Sequence, residues 1–224
     1  GNTGRILGKA RTNPFIQRLE KGQRVLFFCT LGSMLTSRVS YLVAKVFVSM
    51  IQSLAGRTFA RGEKLAVPLC LHLDEGHNVL YPGIHELFNK AGGANIWVHL
   101  YTQSKAQMEK EAGQLSAQSI IDSINTWAYF RLNHPETAHH VQETSPFVDR
   151  QEAVIGLGAS VTFRGLKMRQ IQQDKVISLE NRRFYFRSRT MQCKGHTLDV
   201  YPAYVKVQFP HITNDGPQFG EIRP

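Results

Sequence analysis

The chain has 224 residues, of which 42% are hydrophobic and 20% are charged, and its formal net charge is +10. These proportions exclude a disordered tail and allow one globular domain with extensions. The excess of Lys and Arg favours a polyanionic partner such as nucleic acid, because cations that neutralise phosphates release condensed counterions.

The first predicted elements are a strand and a helix. Residues 24–31 form a nearly continuous apolar run, which is typical of a strand covered on both faces. Apolar side chains at three- and four-residue steps predict a core-facing helix over residues 39–54, with Gly56 as its C-terminal cap. Arg38 and Lys45 interrupt this apolar region, so the sequence predicts a soluble chain that does not itself contact a membrane.

Further strands and helices alternate along the chain. Strands are predicted at residues 67–73, 95–102 and 126–132, and helices at residues 84–91, 104–113 and 116–124. This order predicts an α/β fold, with a parallel sheet flanked by helices. Alternating side chains at residues 183–191 and 204–209 predict a small antiparallel β appendage.

Four parts are predicted from these patterns. They are an N-terminal extension (residues 1–23), an α/β core (24–145), a basic β-containing appendage (146–210) and a loosely ordered tail (211–224). The chain begins without Met or a leader, which we interpret as a fragment of a longer protein. Because Cys29, Cys70 and Cys193 are scattered, we expect buried thiols in a reducing, cytoplasmic setting rather than disulfides.

An acidic pair follows the predicted strand at residues 67–73. Asp74 and Glu75 have the order that an NTP-hydrolysing site needs, in which the first carboxylate holds Mg²⁺ through a water. The second carboxylate polarises the water that attacks the γ-phosphate. An acidic pair at a strand end is also common in α/β proteins, so this dipeptide alone leaves a structural role open.

A second polar tip follows the next predicted strand. Gln103 is long enough to hydrogen-bond the γ-phosphate or the attacking water, whereas Ser104 is better interpreted as the N-cap of the following helix. Ligands of parallel sheets bind beyond the carboxyl ends of the strands. We therefore expect Gln103 to lie at the same edge of the sheet as the acidic pair.

A phosphate-binding loop is missing from these 224 residues. Such a loop reads Gly, four residues, Gly, Lys and then Ser or Thr. The opening segment from Gly4 to Ala10 is one residue short, has Ala in place of the hydroxyl and follows no strand, so we reject it. The glycines of Gly156-Leu157-Gly158 predict a turn. The isolated chain is therefore expected to bind nucleotide poorly.

Basic residues suggest two further sites. Arg131, at the end of a predicted strand, would serve either as a cationic finger at a phosphate or as a surface salt bridge. The predicted nucleic-acid contacts come from the basic stretch 163–194, and they are Arg164, Lys167, Arg169, Arg182, Arg183, Arg187 and Arg189. A solvated basic face remains the alternative for this stretch.

Other chemistries receive little support. Cys70, His72 and His77 lie near the acidic pair, but no second pair of ligands completes a zinc tetrahedron. A Ser, His and acid triad lacks the Gly-x-Ser-x-Gly elbow that exposes a nucleophile in α/β hydrolases.

Several of these motifs occur together in one known family. The segments are Leu71-His72-Leu73-Asp74-Glu75, residues 87–94, Tyr101-Thr102-Gln103, Asn125-Thr126, Arg131 and Glu136-Thr137-Ala138. From about Arg24 to Val141 the chain resembles the TraD-type coupling proteins of conjugative type IV secretion, and most closely the branch on integrating conjugative elements. Some relatives place an arginine near Gly92-Gly93, where this sequence has glycines, so its trans finger stays unassigned.

The resemblance implies a RecA-like P-loop ATPase that uses ATP and Mg²⁺ to pump single-stranded DNA, with its relaxase, into the secretion channel. It implies a homo-hexamer at the cytoplasmic face of the bacterial inner membrane, with the phosphate loop and membrane anchor upstream of Gly1. Asp74 and Glu75 would form the acidic motif and Gln103 the coupling residue. Two alternatives stay open, namely a non-catalytic nucleic-acid or partner-binding module and another hexameric P-loop DNA pump.

Overall fold

The computed structural model describes residues 13–29, 33–155 and 161–199. Within these residues, two helices precede the first strand. They are α1 (Pro14–Glu20) and α2 (Ser33–Ala60). The predicted C-cap at Gly56 is wrong, because α2 continues through Gly56 for another turn that buries Thr58. Its end instead carries the reverse hydrogen bonds of a Schellman motif, in which Gly62 adopts a left-handed φ of 67°.

The length of α2 changes the membrane assessment made from sequence. Within it, Arg38–Ala60 is long and apolar enough to cross a membrane, judged by length and composition alone. In the fold, however, one side of this helix is buried in protein through Val48, Ile51, Leu54 and Ala55. Other apolar side chains of the helix, such as Leu42 and Phe59, are exposed, and 28% of the segment is buried. The absence of membrane contact therefore stays a prediction from sequence.

The strand predicted at residues 24–31 is wrong for residues 24–29, which form no strand. Its last two residues lie outside the described parts of the chain. The segment instead contacts helices, because the Phe27 ring stacks on Phe47 of α2 with ring centroids 4.6 Å apart. Phe15 of α1 lies 5.2 Å from Phe27 and 5.3 Å from Phe47. Aromatic packing therefore takes the place of strand pairing here.

The α/β core is built on a parallel strand pair, as predicted. Strands β1 (Leu69–Leu73) and β2 (Ile96–Leu100) pair in register from Leu69 opposite Ile96 to Leu73 opposite Leu100. Between them lie a 3-10 turn (Gly76–Val79), α3 (His85–Lys90) and a second 3-10 turn (Ala91–Ala94). Helices α4 (Lys105–Ala112) and α5 (Gln114–Ser123) follow β2.

The main hydrophobic core lies on one face of this sheet. Leu73 and Ile96 are buried there, together with side chains from helices α1 to α5 such as Ile51 and Ile120. The opposite face exposes Cys70, His72, Trp97 and His99. Cys29, Cys70 and Cys193 are free and exposed, so the prediction of buried thiols is wrong.

The strand predicted at residues 126–132 is shorter than expected and belongs to a different sheet. Strand β3 (Trp127–Tyr129) pairs antiparallel with β6 (Arg183–Arg187), which pairs antiparallel with β7 (Gln192–His196). This arrangement confirms an antiparallel appendage, although β7 rather than residues 204–209 is the partner of β6. Residues 204–209 lie outside the described parts of the chain.

Four of the elements that follow β3 were not predicted from the sequence. They are α6 (Pro135–Thr144), a hairpin of β4 (Phe147–Ile155) and β5 (Val161–Arg169), and α7 (Gln173–Ile177). The turn predicted at 156–158 lies outside the described residues. A second, smaller core joins β3, α6 and α7 through Tyr129, Val141, Ile171 and Val176. Trp127 packs against both cores and links the two regions.

Candidate functional site

The acidic pair lies at the carboxyl end of β1, where the chain turns away from the sheet. Asp74 and Glu75 are both exposed, and the Oδ1 atom of Asp74 accepts a hydrogen bond from the Glu75 backbone N–H at 2.9 Å. Asn78 donates from its amide nitrogen to Glu75 Oε2 at 3.4 Å. The two carboxylates therefore lie together at the end of β1, as the sequence predicted. We call Asp74 and Glu75, with the turn that carries them, the acidic corner.

Glu75 has an unusual backbone conformation. Its φ of 44° and ψ of 41° lie in the left-handed region, which costs a non-glycine residue about 1 to 3 kcal/mol. Such strain persists only where neighbouring contacts hold it, and it is concentrated at active sites and switch regions. The left-handed turn takes the chain out of the sheet, so that Asp74 and Glu75 do not simply point to opposite faces as strand neighbours do.

The end of β2 is tied directly to this corner. The Gly76 N–H donates to the Tyr101 carbonyl oxygen at 2.8 Å, and the Tyr101 N–H donates to the Leu73 carbonyl oxygen at 3.0 Å. Gln103, which is exposed, follows only two residues after Tyr101. The structure therefore brings the segment carrying Gln103 to the acidic corner, as predicted from the parallel topology.

Gly76 lies where these two segments approach each other closely. A Cβ atom at this position would lie 2.1 Å from Leu100 Cδ1 and 3.3 Å from Leu73 Cβ. A larger residue would therefore require the end of the Leu100 side chain to move and Leu73 to shift slightly.

The start of α4 is capped by two hydroxyl groups. Ser104 accepts a hydrogen bond from the Gln107 N–H at 3.3 Å, which agrees with its predicted N-cap role. Thr137, from the first turn of α6, accepts the Lys105 N–H at 3.2 Å. Sequence reasoning assigned no role to Thr137, although the Glu136-Thr137-Ala138 motif pointed to this position.

The acidic corner suits a hard cation only in part. Carboxylate oxygens are the ligands that Mg²⁺ prefers, and Mg²⁺ usually takes one or two of them together with waters and phosphate oxygens. Within the described residues, no three His, Cys, Asp or Glu side chains form a metal-binding group. Asp74 therefore stays the candidate that would hold Mg²⁺ through a water.

Two histidines near these elements resist protonation. Burial lowers the pKa of His140 on α6, and the nearby Lys105 and Arg187 charges lower it further. Partial burial also lowers the pKa of His99 on the open face of the sheet, where its ring stacks on His72 with centroids 4.3 Å apart. Both rings are therefore held in the neutral form at neutral pH.

The seven cations predicted to contact nucleic acid fall into two groups, those with a hydrogen bond or ion pair to a described residue and those without. Arg169 donates to the Ser145 carbonyl oxygen at 2.9 Å, and Arg187 donates to the Thr144 carbonyl oxygen at 2.8 Å. Arg189 donates to Asn125 Oδ1 at 2.8 Å, Arg182 pairs with Asp199, and Arg183 lies 3.5 Å from Glu180. These five cations are engaged within the protein.

Arg164 and Lys167 differ from the other five. Both are exposed on β5 and form no ion pair with a described residue, although Glu152 and Asp149 lie opposite them on β4. Arg131 is likewise exposed, beyond the end of β3, and no described contact brings it to the acidic corner. Its role as a finger stays a prediction.

Comparison with known proteins identifies this region of the chain. Residues 68–144 match the model of the family described as the TraM recognition site of TraD and TraG. This segment includes the acidic corner, Gln103, Arg131 and Thr137. A comparison with curated proteins gave no match.

Solved structures of the bacterial conjugative coupling protein TrwB share the fold. A trigonal form with sulphate gives a TM-score of 0.55 at 17% identity, covering 74% of this chain and 37% of TrwB. A complex with the ATP analogue ADPNP gives 0.53 at 15% identity, covering 71% and 36%. A complex with ADP and Mg²⁺ gives 0.52 at 17% identity, covering 79% and 41%.

The chain thus spans about two fifths or less of the TrwB structures it matches. Their likeness confirms the predicted RecA-like P-loop fold class over the part that is present. The match over residues 68–144 confirms the sequence resemblance, and this segment of the chain is similar to the TraD and TraG family.

Proposed function

We propose that this chain is the C-terminal part of the motor of an ATP-driven DNA translocase. In this proposal the whole protein is a homo-hexamer at the cytoplasmic face of the bacterial inner membrane. It delivers single-stranded DNA with its attached relaxase to a type IV secretion channel. The phosphate loop and membrane anchor come from sequence outside residues 1–224, in keeping with the partial coverage of TrwB.

The observation that carries the proposal is the tie between the ends of β1 and β2. The Gly76 to Tyr101 bond brings the strained Glu75 and the Gln103 segment to one edge of the sheet. Parallel α/β sheets bind ligands at this edge. TrwB structures with ADPNP and with ADP and Mg²⁺ support nucleotide and magnesium binding in the family.

Each residue has a proposed role. Asp74 holds Mg²⁺ through a water, and the ion, when bound, neutralises charge on the phosphates. Glu75 orients and polarises the attacking water, while Gln103 hydrogen-bonds the γ-phosphate or that water. Arg131 remains the candidate for a cationic finger toward a neighbouring subunit. Arg164 and Lys167 contact DNA phosphates, since they are the predicted cations that have neither a hydrogen bond nor an ion pair from their side chains to a described residue.

The test is ATP hydrolysis by a protein extended upstream to include its phosphate loop, measured with and without single-stranded DNA. We expect Glu75→Gln to reduce DNA-stimulated turnover by at least about a hundredfold, because the variant keeps the shape of Glu75 but loses the charge that polarises water. Glu63→Gln is the matched control, since Glu63 is an exposed carboxylate before β1, at the opposite end of that strand.

The outcomes separate a motor from a binding module. Turnover that requires Glu75 but not Glu63 supports the motor. Turnover that is absent, or equal in Glu75→Gln and wild type, would contradict it. The second candidate, binding of a relaxosome partner, draws on the TraM recognition description of the family. It predicts partner capture that is unchanged by Glu75→Gln.

A further inference from the structure

Gln103 lies in a short segment held by hydrogen bonds on both sides. Before it, Tyr101 accepts the N–H of Gly76 and donates to Leu73, which ties the segment to the acidic corner. After it, the first turn of α4 is capped by the hydroxyl groups of Ser104 and Thr137. Gln103 therefore lies between two fixed points, the acidic corner that carries Glu75 and the start of α6.

The Thr137 bond is the remote member of this set. The first N–H groups of a helix have no acceptor within the helix, so another group must satisfy them. Ser104 does this from the adjoining residue, whereas Thr137 acts from a different helix, 32 residues further along the chain. Its neighbour Ala138 is fully buried, which fixes the start of α6 at this place.

The other end of α6 is bound to the basic appendage. Arg187 donates to the Thr144 carbonyl oxygen, Arg169 donates to the Ser145 carbonyl oxygen, and Gln142 Oε1 accepts the Gln173 N–H at 2.9 Å. The ten residues of α6 span about 15 Å at 1.5 Å per residue. This helix thus connects the segment carrying Gln103 to the region that carries the predicted DNA contacts.

We propose that Thr137 is a positioning residue for Gln103 and that α6 links DNA contact in the appendage to the nucleotide site. The inference rests on the proposed function, because Gln103 must act on bound ATP. The Thr137 hydroxyl binds the first N–H group of α4. Gln103 lies just before this helix, next to its N-cap residue Ser104. Displacement of α6 by DNA at the appendage would shift Gln103 relative to Glu75.

The test uses Thr137→Val, which keeps the size of the side chain and loses the acceptor, with Thr137→Ser as the matched control that keeps the hydroxyl. In the upstream-extended protein, Thr137→Val should lower DNA-stimulated kcat about three- to tenfold, as expected for loss of one hydrogen bond. The KM for ATP should change less than about twofold, because the inferred role of Thr137 is to position Gln103 and not to bind nucleotide. Thr137→Ser should retain wild-type kcat.

A double-mutant cycle with Gln103→Ala shows whether Thr137→Val lowers kcat through Gln103 or through a general loss of activity. If Thr137 acts through Gln103, then Thr137→Val should add little to the loss caused by Gln103→Ala. An equal fold-loss from Thr137→Val in both backgrounds would overturn the inference. So would a Thr137→Ser variant as impaired as Thr137→Val. Unfolding temperatures of all variants identify any loss of kcat that comes from instability.

Two further results distinguish this inference from the proposed function. Turnover that needs Glu75 and is indifferent to Thr137→Val would overturn the role of Thr137 alone. Wild-type protein without turnover would overturn the proposed function and this role together. Amide exchange at Lys105 provides an independent check, since the exchange should be faster in Thr137→Val and unchanged in Thr137→Ser.

Discussion

The α/β core and the basic appendage use their polar side chains differently. In the core, Asp74, Glu75 and Gln103 are exposed at strand ends, where parallel pairing brings them to one edge. In the appendage, five of the seven predicted DNA-binding cations are engaged within the protein. The topology thus brings the polar residues at strand ends together, whereas most cations of the basic stretch have partners within the protein.

The two regions also differ in how they are stabilised. The main core joins helices α1 to α5 with β1 and β2, whereas the smaller core contains four buried side chains on β3, α6, α7 and the loop before α7. Because the smaller core has few apolar contacts, the backbone hydrogen bonds around it should open more readily than those of the main core.

The largest effect is expected from cavities in the two cores. Ile51→Ala and Ile171→Ala remove the same atoms from fully buried sites, and each should lower the free energy of unfolding by about 2 to 5 kcal/mol. Ile171→Ala should reduce amide protection in β6 and β7 and leave β1 and β2 protected. Ile51→Ala should reduce protection in both regions, because Trp127 of β3 packs on the main core. Equal loss everywhere in Ile171→Ala would show one cooperative unit.

A smaller effect is expected at alkaline pH. Burial raises the pKa of Tyr129 to about 12, so the folded appendage favours the neutral phenol. The stability that this shift provides is present below about pH 10 and is lost as the pH rises towards 12, by about 2 kcal/mol. Unfolding monitored at β6 and β7 should show a smaller loss in Tyr129→Phe than in wild type, because burial also raises the pKa of Tyr185, which remains in the variant. An identical alkaline loss in Tyr129→Phe would contradict the assignment.

The smallest effect is expected on DNA affinity, and it distinguishes the cations without a partner in the protein from those that have one. Replacing Arg164 and Lys167 with Ala should weaken single-stranded DNA binding by this chain about three- to tenfold. The salt dependence of log K should become shallower by about 0.7 for each phosphate that the variant no longer neutralises.

Arg169→Ala should instead cost about 1 kcal/mol of stability, because the Ser145 carbonyl oxygen loses its donor. Fluorescence anisotropy at several salt concentrations and thermal unfolding distinguish the two variants. Equal DNA-binding losses would contradict the distinction.

Predictions from sequence succeeded where one local pattern dominates. The apolar strands that became β1 and β2, and the Ser104 cap, follow from side-chain periodicity and capping chemistry over a few residues. The predicted strand at residues 24–29 was wrong. Phe27 packs on Phe15 of α1 and Phe47 of α2, whereas Leu26 and Phe28 are exposed, so this apolar run led neither to strand pairing nor to full burial.

The amino-acid sequence by itself determined the α/β class, the order of β1 and β2, and the edge at which Asp74, Glu75 and Gln103 lie. Tertiary structure alone decided that β3 leaves the parallel sheet for β6, and that Thr137 caps α4 from another helix. It also decided which arginines are engaged within the protein. The physical reason is that periodicity and capping act over a few residues, whereas these contacts join residues far apart in the chain. Thr137 and Lys105, for example, are 32 positions apart, and only the folded packing brings them together.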